Sequence, residues 1–246
     1  AIGYRFLQDS PKSLGLPSIS SWKKETDLKP ISKNFKEVLN NQLKIVKYPS
    51  IWILGLASST MYVTRYAINS WGILYLQEIR GFSLVEAGSI IGLNTFTGII
   101  GCVAYGFISD KYFDARRPPV TLMFGIVEIA SLFLIFFGPD STVVLTIAFL
   151  IYGFTLSGLL AVLGGLFAID IAPKNISGAA MGFIGLFSYI GAGLQEKISS
   201  LLIKTSTEND TSELLYNFDD AIIFWVFASI VSFILSLALW NKKTED

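Results

Sequence analysis

The chain is predicted to be an all-α membrane protein, a bundle of six transmembrane helices, and three observations predict it. Apolar residues make up 52% of the 246 positions, charged residues only 15%, and the mean hydropathy is +0.56, too apolar and too charge-poor for an ordinary soluble domain. Six apolar runs follow one another, each near or above the ~20 residues needed to cross a ~30 Å hydrocarbon core. Glycine is concentrated inside those runs, as in GSIIGLNTFTGIIGCVAYG and GAAMGFIGLFSYIGAG. It would weaken a soluble helix there, but small residues let membrane helices approach closely.

The first run, Ile51–Leu76, has a single charge at its centre, Arg65. A mid-membrane arginine costs roughly 2.5–3.5 kcal/mol on insertion scales, so it faces the bundle interior or an aqueous cavity. Its planar fork of donors suits phosphate or carboxylate, and a helix-to-helix salt bridge is the other use of such a residue. The next runs are Ser83–Ile108, Val120–Phe137, Thr142–Ile171, Gly178–Ile203 and Ala221–Trp240. The third is the shortest and contains Glu128, whose carboxylate is expensive at that depth and points to local hydrogen bonding or, alternatively, to a proton relay. Glu196 and Lys197, toward the outer end of the fifth, are placed to pair or to reach the interface. Residues 48–241 thus form the bundle, and residues 242–246 a polar tail.

Ahead of the bundle, residues 8–47 are rich in Lys, Ser and Pro and read as a cytoplasmic linker. Within them Ile31–Val46 is spaced as an amphipathic helix, suited either to the anionic inner leaflet or to tethering two bundles. Ala1–Leu7 resembles the end of a preceding membrane helix, and the chain reads as the later part of a longer protein.

Lysine and arginine set the orientation. Fifteen lie in the segment before the first run, in the second-to-third and fourth-to-fifth connections, and in the tail. Only Arg80 and Lys204 fall on the opposite side, so both ends are expected in the cytoplasm. A formal net charge of zero gives no nucleic-acid footprint. The chain has no histidine, and Cys102 stands alone, so neither a disulfide nor a metal or cofactor motif is expected, and no catalytic residue is assigned.

The stretch Gly106–Pro119, GFISDKYFDARRPP, resembles the short cytoplasmic loop of the major facilitator superfamily. Gly106 suits a tight helix contact, and Asp110 and Lys111 end a helix. Arg116 and Arg117 are placed to pair with Asp110 across the loop. Further segments are similar to one branch of that superfamily, the organophosphate:phosphate antiporters. Asp9–Ile19 resembles its central linker, Tyr62-Val-Thr-Arg65-Tyr with Trp71 its seventh helix, and Asp170–Tyr189 the junction of its tenth and eleventh. The resemblance covers nearly the whole chain and implies the linker and second six-helix half of a major facilitator fold. The first six-helix half would then be a partner, alongside the lipid bilayer of the inner membrane.

The resemblance implies that Arg65 is the second-half arginine of a phosphate clamp. Tyr62, one turn earlier, and Tyr189 match tyrosines of the pocket, where packing between helices is the alternative reading. From spacing, Asn69 lies one turn past Arg65 on the same side. Asn94 and Thr95 are neutral groups able to serve a polyol. Ser70 replaces an acidic residue that many relatives have before the tryptophan, Thr95 stands where a glutamate is common, and Leu159-Leu160 replaces a Gly-Pro. The implied function is exchange of an organic phosphate ester for inorganic phosphate, without enzymatic chemistry. A membrane sensor of external hexose phosphate acting through a kinase, or a facilitator of another organic anion, would use the same residues.

Overall fold

The computed structural model describes residues 15–17, 35–173, 176–207 and 214–241. The expected end of a preceding helix at 1–7, most of the linker and its Asp9–Ile19 motif, Lys174, and the tail at 242–246 lie outside them. The chain divides between Gln42 and Leu43. Helix α1, Phe35–Leu43, accounts for most of the first part's described residues and covers the middle of the expected amphipathic segment. A 3₁₀ turn, Lys44–Lys47, lies near the start of the second part.

That second part is a bundle of long helices. Pro49 sits at the start of α2, Pro49–Glu78, where its missing N–H costs nothing. Gly81, with φ of +69°, turns the chain back. Ser83 and Glu86 then close a reciprocal capping box on α3, Leu84–Tyr112. Helix α4, Arg117–Phe137, again opens on prolines. The next span is α5, Thr142–Ala161, continued through a π turn at Val162–Leu166 into α6, Phe167–Ile171. Helices α7, Ser177–Leu202, and α8, Asp219–Leu237, complete the set. Between them Lys204–Thr207 (β1) and Leu214–Asn217 (β2) pair antiparallel, with Thr205 opposite Tyr216. This hairpin is an addition to the all-α expectation.

Among the described residues, length and composition alone mark five helices able to cross a membrane: α3, α4, α5 through α6, α7 and α8. Helix α2 has the length, 30 residues or about 45 Å, but its apolar character is diluted by Ser58, Ser59, Thr60, Thr64, Arg65, Asn69 and Ser70. The least apolar of the long helices is the one that carries the candidate site.

Helix packing follows from small residues and short polar side chains. Helix α2 lies along α7, where Ser58 and Ser188 share a hydrogen bond of 2.8 Å and Trp52 meets Phe183 and Phe187 edge-on. It also lies along α8, where Thr64 donates to the Trp225 carbonyl and Ser232 to that of Ala57. Helices α3 and α5 cross with almost no gap. A Cβ on Gly101 would overlap the Phe154 backbone, and one on Gly153 would overlap Asn94. The tight contact expected at Gly106 is not made among the described residues, because a Cβ there meets nothing within 4 Å. Glu128 is fully buried between α4 and α8 and accepts from Ser229, so its carboxyl ties two helices together.

Candidate functional site

Arg65 projects from the middle of α2, half-buried, with its guanidinium carbon 5.5 Å from the Tyr62 ring and 5.6 Å from the Tyr66 ring. Faces of aromatic rings attract a cation without neutralising it. No carboxylate forms an ion pair with Arg65 among the described residues. The other two arginines held within the bundle differ: Arg80 pairs with Asp140, and Arg117 with Asp170 and Asp110.

Beside Arg65 opens a cavity of about 330 Å³ whose polar lining includes Asn69, Asn94, Thr95, Cys102 and Ser157. Four residues chosen from the sequence, Arg65, Asn69, Asn94 and Thr95, therefore meet in one place. Asn94 is only 5% exposed and its Oδ1 has no hydrogen-bond partner among the described residues. A buried amide oxygen without a donor is costly, and this one is packed against Gly153 of α5, so it is the rest of the Asn94 side chain that borders the cavity. Thr95 bonds back to the Ile91 carbonyl at 3.1 Å, which leaves its hydroxyl oxygen as an acceptor. A larger cavity of about 410 Å³ has only Thr97 and Thr155 as polar lining residues, and both hydroxyls donate to backbone carbonyls. Another of about 600 Å³ adjoins Arg80, whose donors are already engaged. Neither offers a free cation.

Tyr62 and Tyr189 adjoin this cavity instead of lining it. Their rings meet edge-on at 5.9 Å, across the seam between α2 and α7, and Tyr189 is 65% exposed. The Tyr62 hydroxyl faces the π turn, 3.9 Å from where Gly164 would place a Cβ. The adjacent Gly165 faces a different neighbour, Met181, which a Cβ there would crowd. Tyr66, whose ring also flanks Arg65, was not singled out from the sequence, although it is the next residue along.

The loop between α3 and α4 is a separate construction. Asp114 and Ala115 both adopt left-handed backbone, at φ of 50° and 61°, a conformation that costs roughly 1–2 kcal/mol per non-glycine residue. Hydrogen bonds from Ala115 N–H to the Ser109 carbonyl and from Arg116 N–H to that of Phe113 hold it. Arg117 Nε donates to Asp170 at 3.1 Å, and its Nη1 lies 3.7 Å from Asp110. The expected pairing is thus made by Arg117 alone. Arg116 forms no ion pair among the described residues, since the left-handed turn leaves it exposed. Lys111 lies over the Phe107 and Tyr112 rings.

One pairing has no local signature in the sequence. Ser70, on α2, donates to the Glu196 carboxylate on α7. Glu196 and Lys197, being adjacent on a helix, point in different directions and do not pair with each other.

A bundle of membrane-length helices with a half-buried cation and neutral hydrogen-bonding groups around one internal cavity defines a multi-pass membrane protein with a polar cavity. Residues 4–195 match the Major Facilitator Superfamily model, and the chain belongs to that superfamily. It is 34% identical over 198 residues to the membrane sensor protein UhpC of Escherichia coli, covering 76% of this chain and 44% of that protein. It is 27% identical over 251 residues to the glycerol-3-phosphate transporter of Bacillus subtilis, covering 97% and 53%. It is 30% identical over 210 residues to the hexose-6-phosphate:phosphate antiporter of Salmonella typhimurium, covering 77% and 41%. The chain spans about half the length of the curated relatives it matches.

Proposed function

We propose that this chain is the C-terminal half of a secondary transporter that exchanges an organic phosphate ester, of the hexose phosphate or glycerol 3-phosphate type, for inorganic phosphate. The observation that carries this reading is Arg65, a charge held beside two stacked tyrosine rings, without a carboxylate ion pair among the described residues, at the mouth of a polar cavity. A dianion supplies the missing countercharge, and the guanidinium fork matches phosphate oxygens. Asn69, Asn94, Thr95, Tyr62 and Tyr189 then surround the bound anion and its organic part. A first six-helix half would close the site from the other side, with rocking of the two halves giving alternate access. Balancing the site's charge with either substrate lets one cation serve both directions of exchange. The names of the transporter relatives support the same reading.

The test uses the full-length protein. Arg65→Ala abolishes binding of inorganic phosphate and of phosphate esters, and Arg65→Lys, with charge but no fork, binds both markedly more weakly. Unchanged phosphate affinity in Arg65→Ala would make the arginine structural and remove the main support.

A second reading, a sensor of external hexose phosphate acting through a kinase, is favoured by the likeness to UhpC. Reconstituted vesicles separate the two: a transporter accumulates labelled sugar phosphate against trapped inorganic phosphate, and a sensor binds without accumulating. A facilitator of a carboxylate would instead be displaced by carboxylates and not by phosphate.

In the inner membrane, both ends belong in the cytoplasm, with residues 8–47 as the linker between halves. Fifteen basic residues against two support that orientation. In a Cys102→Ser background, Ser206→Cys in the hairpin reacts with an impermeant thiol reagent from outside intact cells, and Ser13→Cys does not. The reverse pattern would overturn it.

A further inference from the structure

The Ser70–Glu196 pair joins the same two helices that bring Tyr62 against Tyr189, farther along both. Glu196 is seven residues past Tyr189, so it lies on the same face of α7, roughly 10.5 Å farther along the helix. Ser70 is five residues past Arg65, a rise of about 7.5 Å and about 140° around α2, and neither Ser70 nor Glu196 is part of the Arg65 cavity lining. Ser70 is exposed and Glu196 half-buried. An ionised carboxylate has about four acceptor positions, and Ser70 fills one. Among the described residues no basic side chain forms an ion pair with Glu196. A carboxylate with spare acceptor capacity therefore borders the open face, displaced along the helices from the cation.

We propose that Glu196, oriented by Ser70, binds the hydroxyl-bearing end of the organic substrate while Arg65 holds its phosphate. This rests on the phosphate-ester reading above and deepens it, because it selects among esters. Hydroxyl groups donate strongly to a carboxylate, and vicinal hydroxyls engage both of its oxygens. The same charge repels the phosphate, so cation and anion at opposite ends fix which way round the ester binds. The two charges are offset along the helices, so a longer ester reaches both more readily than a three-carbon one. The site therefore favours a phosphorylated hexose over glycerol 3-phosphate, and inorganic phosphate is indifferent to Glu196.

The experiment measures displacement of labelled inorganic phosphate from the full-length protein by unlabelled phosphate, glucose 6-phosphate and glycerol 3-phosphate. Glu196→Gln keeps an oxygen for Ser70 but loses the charge. It lowers glucose 6-phosphate affinity about tenfold, with inorganic phosphate staying within about twofold and glycerol 3-phosphate in between. Ser70→Ala, which loosens the carboxylate without removing it, gives a smaller loss of the same selectivity. Equal losses for all three ligands, or none for any, would make the pair a helix-to-helix contact only and overturn the assignment. If the unaltered protein bound neither phosphate nor esters, the phosphate reading itself would fail, and this proposal with it. If inorganic phosphate bound normally and the ester ratio did not move, only Glu196 would be wrong.

Discussion

Two arginines belonging to the same helix and its C-terminal turn, Arg65 and Arg80, have opposite surroundings. Arg80 is 10% exposed in its side chain and fully committed. It donates to Asp140, to the Ile135 and Phe136 carbonyls that end α4, and to the Tyr75 hydroxyl at 3.1 Å. Those carbonyls are among the unsatisfied groups that every helix end leaves, so Arg80 works as a cap that fastens α4 to the end of α2. Arg65 has two tyrosine rings and an open cavity. Identical side chains thus divide into one whose charge is consumed by the fold and one whose charge is left for something else. Residue type alone does not distinguish them; partners do.

The largest expected effects test that division directly. Arg65→Ala removes phosphate binding but leaves the unfolding temperature in detergent within about 2 °C of the unaltered protein, because no ion pair among the described residues depends on the side chain. Arg80→Ala strips the Phe136 carbonyl of its side-chain donor, leaves the Ile135 carbonyl only a long bond of 3.4 Å from the Tyr75 hydroxyl, and costs about 2–3 kcal/mol, seen as a clear drop in unfolding temperature, while the folded protein still binds phosphate. Exchanged outcomes would invert the comparison.

A second contrast, between two glycines of α3, is the next in size. Gly101 lies against the Phe154 backbone, and Gly106 has nothing near it. Gly101→Ala forces α3 and α5 apart and costs about 1–3 kcal/mol or more. Gly106→Ala gains helix propensity and stays within about 0.5 kcal/mol of the unaltered protein in this half. Thermal unfolding of both variants checks the pair. Loss of exchange with full stability in Gly106→Ala would place its tight contact with residues beyond those described.

These contrasts also mark what was legible in the sequence. Long apolar runs announce membrane helices because the bilayer imposes a minimum length. Arg65 and Asn69 share a side of α2 because four residues make about one turn. Asn94 and Thr95 joined them through the family resemblance, and the geometry places all four on one cavity. What could not be read depends on residues distant in sequence. Ser70 meets Glu196 across 126 positions, and Glu128 meets Ser229 across 101, with no local signature in either. The hairpin has little signal of its own because Lys204–Thr207 and Leu214–Asn217 are four residues each, too short for an alternation to stand out beside the apolar runs flanking them. Likewise, adjacent Arg116 and Arg117 look alike until the left-handed turn separates their directions.

Smaller effects are expected in the α3–α4 loop. Arg117 holds Asp170 more closely than Asp110, at 3.1 against 3.7 Å, and both carboxylates are partly exposed. Asp110→Asn therefore slows exchange while substrate affinity stays within a few fold, and Asp170→Asn slows it more. Vesicle exchange and detergent binding assays, run side by side, check both. Equal loss of binding and exchange in either variant would assign the loop to folding and not to the conformational cycle.

The smallest effect belongs to the ion pair least like Arg80. Lys204, at the start of the hairpin, donates to Asp220 in the first turn of α8 at 2.6 Å, with side chains 68% and 46% exposed. The hydrogen bond to Asp220, and then the attraction of its charge, hold the lysine's pKa above its ordinary value. A raised folded-state pKa means the pair's contribution is complete below the ordinary lysine range, about 10.4, and fades as pH rises through the raised value. Water screens so exposed a pair, so its contribution is slight throughout. Unfolding temperatures of the unaltered protein and Asp220→Asn, compared from pH 7 upward, differ by a small constant amount until the lysine range is passed, and then converge. A difference that persisted after Lys204 had lost its proton would show that Asp220 acts through the N-terminus of α8, which its charge also favours, and not through the lysine.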